Sequence, residues 1–460
     1  MTGNRISIFG VAALTAIAGS AFGQGSIGPD VIAGSITGPQ KWGTIGGVTS
    51  YSIGTESCNI GDEDLLWDDE LSDGTPANLH PLMGQNIFRL KDGRFEQLGQ
   101  SWLKHAFLAL NLSGLCSNNC QPSSLGSNGL GPGCNDPYSA GLNGSQTGLG
   151  PKFEVNPVKG EYPWPFTGDG QSGNSLYKRI QVNNDDLNPS LNPGALYFGE
   201  GQYISPDDAA AGNDDNNASY RRISVGSFSS GGYNLSFTGS TQRGKPAIQA
   251  WQDFDPAVTL EYFDVPFDGR YIVGYKVTDN GDGTWHYEYA IQNLNGDRGA
   301  GSFSVPIGAG VTVTNVGFHD VDYHSGEPFD NTDWSATVTS DSVTWSSPNP
   351  HSVDPNSNAL RWGTLYNFRF DADSAPENVD TVLGMFKQSS TNEFAIPGAG
   401  PASLADCIAD TNGDGVLSPA DFSAWVAAFN AMAPECDQND DGACSPADFS
   451  AWVSNYNAGC

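Results

Sequence analysis

Twelve residues near the C-terminus, six in each of two loops, have the types and the spacing to hold a hard cation. Counted from its first aspartate, the upstream loop sets Asp410, Asn412, Asp414, Val416, Ser418 and Asp421 at positions 1, 3, 5, 7, 9 and 12, with Gly415 at the turn position 6. The downstream loop sets Asp437, Asn439, Asp441, Ala443, Ser445 and Asp448 at the same positions, with Gly442 at the turn. A calcium ion takes about six to eight oxygens at roughly 2.3–2.6 Å, and an EF-hand-type loop of about twelve residues wraps them around one ion. Position 7 uses a backbone carbonyl, so Val416 and Ala443 serve there as well as any polar residue. An acidic hairpin turn is the plainer reading of one such loop, but two loops match at all six positions and repeat together. Two bound calcium ions are therefore expected.

The elements that position these donors are written in the same repeat. The string SPADFSAWV occurs at 418–426 and again at 445–453, directly after each loop. Ser418 or Ser445 can cap a helix, and Pro419 or Pro446 suits its first position. The apolar residues Phe422, Trp425, Val426 and Phe429 recur as Phe449, Trp452, Val453 and Tyr456, at i, i+3, i+4 and i+7. Each loop should lead into a short amphipathic helix whose aromatic stripe buries itself against the other copy.

Two calcium loops with Asp at position 12, each followed by one helix and spaced 27 residues apart, resemble a bacterial dockerin module. The Gly459-Cys460 ending and the run CDQNDDGACSPADFSAW resemble its GC-type subclass, over about residues 404–460. The resemblance implies a small α module that docks onto a cohesin-like partner. In many dockerins positions 10 and 11 of the loops choose that partner, and here they are Pro419-Ala420 and Pro446-Ala447. With Phe422 and Phe449 these form the expected partner-binding set, presented in two orientations about a pseudo-two-fold axis.

The rest of the chain reads as exported. MTGNRISIFGVAALTAIAGSAFGQG has one basic residue, Arg5, a short apolar run and small residues before a cut after Gly23 or Ala21, as in a secretory signal peptide at 1–23. That run is shorter than the roughly 20 apolar residues of a membrane span, and no later segment qualifies. With 20 Lys plus Arg against 52 Asp plus Glu, the net charge of −32 argues against nucleic acid and anionic lipid as partners. Secreted or cell-surface localisation is expected. Eight cysteines in an exported chain favour disulfides, four in the body (Cys58, Cys116, Cys120, Cys134) and four in the tail (Cys407, Cys436, Cys444, Cys460). Four cysteines allow three pairings in each group; the tail pairing expected is Cys436 with Cys444 and Cys407 with Cys460.

The body is rich in Gly, Asn, Asp, Ser and Pro, with short alternating apolar runs, and is expected to be mainly β, an antiparallel sandwich-like fold. Residues 24–245 read as a β-rich region with a cysteine-bearing loop, 246–395 as a sandwich-like domain, and 396–403 as a linker. The clearest hairpin is 271–294, around the turn Asp279-Asn280-Gly281-Asp282-Gly283. Further strands are expected at 302–306, 311–318, 335–339, 342–346 and 363–370. Leu98, Trp102, Leu103, Ala106, Phe107 and Leu110 follow helical spacing, so one helix is expected near 97–112.

Four places in the body could carry chemistry. His319, Asp320, Asp322 and His324 form an imidazole and carboxylate cluster suited to zinc, manganese or iron, although a straight strand would point the two histidines to opposite faces. A strand running into a hydrogen-bonded polar loop is the plainer reading. Cys116, Cys120 and Cys134 near His105 could make a zinc site, against which export favours disulfides. Asp253, Asp255 and Glu261 could supply the two acids of a glycosidase, which stand about 5–9.5 Å apart. Trp164 and Tyr162 could form a sugar platform, or belong with the other body tryptophans in the core. GDRGAGSFSVP and FHDVDYHSGEPFD resemble uncharacterised secreted β-domains that accompany this dockerin type. The leading functional reading is a non-catalytic secreted binding or display protein anchored through its tail. The alternatives are a polysaccharide-active enzyme delivered by the same module and a structural component of a matrix or envelope.

Overall fold

Alternation in YIVGYKVTD folds as expected: strands Arg270–Asp279 and Trp285–Asn293 pair antiparallel, Tyr271 opposite Asn293 and Asp279 opposite Trp285. Between them Asp279 and Asp282 accept N–H groups two residues on, and Gly281 and Gly283 take φ of 77° and 90°, which a side chain would resist. The structure is a computed structural model and describes residues 26–71, 73–402, 408–413 and 417–458. The expected signal segment at 1–23 and the Cys407–Cys460 pair lie outside the described residues.

Odd and even residues of this hairpin serve different cores. Tyr271, Val273, Tyr287, Tyr289 and Ile291 face one way, against Phe303, Trp345 and Leu383. Ile272 and Ala290 face the other, against Phe88, Phe95 and Phe198. The central sheet is thus buried on both faces, which explains why its strands are so apolar. It runs Thr259–Asp264, Arg270–Asp279, Trp285–Asn293, Thr364–Ala372, Val313–His319. A second five-stranded sheet covers its inner face, in the order Ser335–Val338, Ser342–Ser346, Ala300–Pro306, Pro376–Met385, Glu393–Pro401. The sandwich and its expected strands are as read from the sequence.

The N-terminal half repeats the plan. A four-stranded sheet built on Val31–Ile45 and Val48–Asn59 packs Ile36, Tyr51 and Ile53 against Ile87, Tyr197 and Ile223 of a seven-stranded sheet. Phe88 and Phe198, one residue further along the same strands, point through to the central sheet. The result is four stacked β-layers. Trp251, fully buried on the short helix Gln249–Phe254, plugs the middle interface with Ile248 and Leu365. The two sandwiches follow one another in the chain and meet through this middle interface.

Two expectations are corrected. No helix forms near 97–112: the chain makes strands Arg94–Gln100 and Leu103–His105, which pair with Leu82–Lys91. Trp102, Leu103 and Ala106 are buried and Leu110 is 61% exposed, so the helical spacing comes from two short strands that run along one neighbour with a break at Ser101-Trp102. Nor is 396–403 wholly a linker, because Ile396 to Pro401 continue the strand Glu393–Pro401, paired with Pro376–Met385. Its prolines are tolerated because this strand is at an edge of its sheet. The loop-rich segment after 112 is fastened by Cys58–Cys116 and Cys120–Cys134, as the disulfide reading expected.

In the tail, helices Pro419–Ala431 and Pro446–Ala458 follow the loops as the repeat predicts. Trp425, Trp452, Phe429 and Tyr456 pack between them with Ala409. Cys436–Cys444 closes across the second loop.

Candidate functional site

Each tail loop is tied to the helix that follows it. Ser418 caps the first helix by accepting the N–H of Ala420 at 3.1 Å, while Asp421 accepts the N–H of Ser418 at 2.7 Å, a capping box. Ser445, Ala447 and Asp448 repeat this at 3.2 and 2.6 Å. The position-12 carboxylates also reach back over their loops: Asp421 accepts from Asn412, and Asp448 from Gln438 and Asn439. Burial would raise both carboxyls, but these backbone N–H donors outweigh it and hold them below the ordinary range.

The second loop is described throughout. Gly442 takes φ of 80° at the turn position, and its N–H, with that of Asp441, donates to Asp437 at 2.8 and 3.2 Å. Asn439 and Asp441 accept the N–H groups of Asp441 and Ala443 at 3.1 and 3.0 Å. Hence the loop's own backbone orients its side-chain oxygens. Of the first loop, Asp414, Gly415 and Val416 lie outside the described residues. The donor chemistry fits calcium: carboxylate, amide, hydroxyl and carbonyl oxygens, with no Lys, Arg or His anywhere in residues 404–460. Among the described residues no three His, Cys, Asp or Glu side chains form a metal group alone. In these loops Asn439, Ser445 and the Ala443 carbonyl would complete the set.

The two loop-helix units exchange their tryptophans. Trp425 of the first helix donates its indole N–H to the Cys436 carbonyl at 3.1 Å, and Trp452 of the second donates to the Ala409 carbonyl at 3.2 Å. The donors are 27 residues apart and so are the acceptors (452 − 425 and 436 − 409), which is the signature of a pseudo-two-fold pair. At its centre Phe422 and Phe449 lie 5.9 Å apart and stay 39% and 45% exposed. Of the partner-binding residues expected from the sequence, Phe422 and Phe449 thus meet in one aromatic patch, while Pro419, Ala420, Pro446 and Ala447 are exposed in the first turns of the two helices.

In the body, His319, Asp320, Asp322 and His324 line one cleft of about 430 Å³, beside Gln181 and Asp186. They do not converge as a metal centre. Both ring nitrogens of His324 are engaged, Nε2 with the Gln100 carbonyl and Nδ1 with Ser325 Oγ, each at 2.8 Å. Burial pushes His324 down to about 4, and raises Asp320, which accepts from Asn358, to about 6. The strand ends at His319, and His324 beyond it is turned into the protein.

The other sequence candidates are also accounted for. Asp253 is bound by Tyr220 and by Lys245 at 3.0 Å, and Asp255 by Lys276 at 2.6 Å, while Glu261 lines a separate groove with Asp380. Those three do not face one another as an acid pair. Tyr162 is buried and donates to the His80 carbonyl, and Trp164 packs on His80 and His105, so neither is a sugar platform. The three cysteines near His105 are in disulfides, and His105 itself meets His80 Nε2 through Nδ1 at 2.9 Å. What sequence reasoning missed is the polar wiring between the two sandwiches. Arg94 reaches Glu288 at 2.9 Å, Glu288 is 4% exposed, and His286 bridges Glu288 and Asp371 at 3.1 and 2.6 Å. Only pairing across about 190 positions creates it, and no local motif carries that signal.

No family model matches the chain, and no curated protein matches it. Among solved structures, a serine-rich repeat adhesion glycoprotein from Streptococcus agalactiae is similar over 75% of this chain and 88% of that one, at 7% identity and a TM-score of 0.19. The N-terminal domain of a Streptococcus gordonii adhesin is similar over 77% of this chain and 62% of that one, at 8% identity and a TM-score of 0.17. At those TM-scores the likeness carries no argument, and function rests on the sites themselves.

Proposed function

We propose that this chain is a secreted, non-catalytic binding or display protein whose C-terminal tail docks, when loaded with calcium, onto a cohesin-like extracellular partner. The observation that carries the reading is the tail's paired construction. Two oxygen-donor loops brace two helices through exchanged indole bonds, and the phenylalanines left half-exposed at the dyad make one apolar contact surface. An exposed aromatic pair on so acidic a module is costly in water, and a partner's apolar surface relieves that cost. Calcium orders the loops, the loops fix the helix ends, and the helix ends aim the patch.

The test uses the full chain immobilised and exposed to cohesin modules and to the native secretome, with calcium and with chelator. Retention that calcium supports and chelator abolishes is expected, and Phe422→Ala with Phe449→Ala should abolish it. Retention of nothing in calcium would remove the docking function.

A second reading rests on the body cleft. Asp320, lifted to about 6 mainly by burial, and the exposed Asp322 share a groove of polysaccharide-compatible size. A polysaccharide-active enzyme would use these two acids, and Asp320→Asn would then remove hydrolysis or lyase activity on any glycan the chain cleaves.

A further inference from the structure

Two aspartates beside the first described strand are buried without a basic partner. Asp30 and Asp208 are both 0% exposed. Hydrogen bonds join them in a closed ring. Asp30 Oδ2 accepts from Asn216 Nδ2 at 3.3 Å, the adjoining Asn217 donates from Nδ2 to Asp208 Oδ2 at 2.7 Å, and Asp208 Oδ1 accepts the N–H of Val31 at 2.9 Å, which leads back to Asp30. Three acceptor atoms of this ring, the Oδ1 atoms of Asp30, Asn216 and Asn217, are buried with no donor. Asp30 and Asn217 are themselves fully buried.

The charges are as unbalanced as the hydrogen bonds. Burial raises Asp30 against the hydrogen bonds of Ser26 and Asn216, and raises Asp208 well above its ordinary value, where Asp30 and Asp214 add repulsion; none of the groups acting on either acid there is a cationic side chain. Arg270, on the neighbouring Asp215 at 3.0 Å, is held there and by Asp264 at 2.7 Å. Leaving a buried carboxylate uncompensated is strongly destabilising, so a proton or a cation must supply the positive charge. A shared proton furnishes one donor and leaves the other orphan oxygens as they were. A hard cation, which takes about six to eight oxygen ligands, brings positive charge and oxygen contacts together.

We propose that Asp30, Asp208, Asn216 and Asn217 hold a divalent cation in the body, calcium by their oxygen-only chemistry. The site is separate from the tail loops, and it pins residues 26–31 to the segment 205–217.

The experiment is hydrogen exchange of the full chain in calcium and in chelator. Peptides covering 26–31 and 212–218 should exchange at least about tenfold more slowly in calcium, independently of peptides from 408–458. In the variant Asp421→Ala with Asp448→Ala, one calcium per chain should remain after dialysis, and adding Asp30→Asn should remove it. If the body peptides exchange alike in calcium and chelator, or the loop-disabled chain retains no calcium, the site is overturned. Should Asp30→Asn fail to fold, the exchange result on the unmodified chain decides alone.

Discussion

Body and tail are both acidic, yet they treat their carboxylates differently. In the body, several acids meet basic side chains: buried Glu288 has Arg94, buried Glu96 has Arg89 at 2.7 Å, and half-buried Asp255 has Lys276. The tail has no basic residue at all, and its buried Asp421 and Asp448 rest on backbone N–H groups. Where a fold supplies its own counter-charges, stability belongs to the chain; where it does not, stability belongs to the solution around it. The Asp30–Asp208 ring follows the tail's rule within the body, as does buried Asp136, which accepts the N–H of Leu110 at 2.9 Å.

Chelation should therefore break the comparison with the largest effect. Removing calcium is expected to abolish the helical signal of 408–458 while the β signal of the body persists, because a ligand at about a thousand times its Kd contributes about 4 kcal/mol to the state that binds it. Circular dichroism with and without chelator measures this. Equal loss of both signals, or of neither, would refute the division.

The next effect belongs to the body alone. Trp251→Ala should cost about 3–5 kcal/mol, because it empties the shared core between the sandwiches, and should leave calcium binding by the tail unchanged. Arg94→Ala should cost about 2–4 kcal/mol by leaving Glu288 buried with His286 as its remaining partner. Urea melts of the full chain report both. If either variant shifted the tail's transition equally, the two regions would be one cooperative unit.

These regions were not equally legible in the sequence. The tail's donors lie within twelve-residue stretches, so composition and spacing expose them directly. The hairpin at 271–294 was legible for the same reason, its strands and its Asp-Gly turn being contiguous. The helix expected near 97–112 is instead an interrupted strand, and the break at Ser101-Trp102 puts apolar residues at helical spacing. Nothing local links Asp30 to Asp208, or Arg94 to Glu288. Long-range β pairing brings such groups together, and a single sequence does not record which strands become neighbours.

The smallest effects are in the pH dependence, and they sharpen the comparison because all six histidines lie in the body. Between about pH 5 and 8 the tail in saturating calcium should be flat, while the body carries two opposed histidine effects. Burial pushes His80 down to about 4 and His105 well below its ordinary value, so both fold as neutral rings. Their stabilisation is complete above about pH 6.5 and is lost as pH falls toward 4, by about 1.4 kcal/mol per pH unit for each proton the unfolded chain takes up. His80→Gln should flatten that acid limb whatever it does to stability at neutral pH.

His286 acts with the opposite sign. Its contacts with Glu288 and Asp371 raise it against the cost of burial, so it folds more readily charged. Its contribution is fully present below about pH 6.5 and fades as pH rises through the raised folded value. The ring is 31% exposed, which limits the pair to a few tenths up to about 1 kcal/mol. His286→Gln should therefore destabilise the body at about pH 5.5 and leave it nearly unchanged at about pH 9, read from urea midpoints at both values. A larger deficit at the higher pH would mean that the imidazole serves there as a neutral hydrogen-bond partner, and that the charge on Glu288 is answered by Arg94 alone.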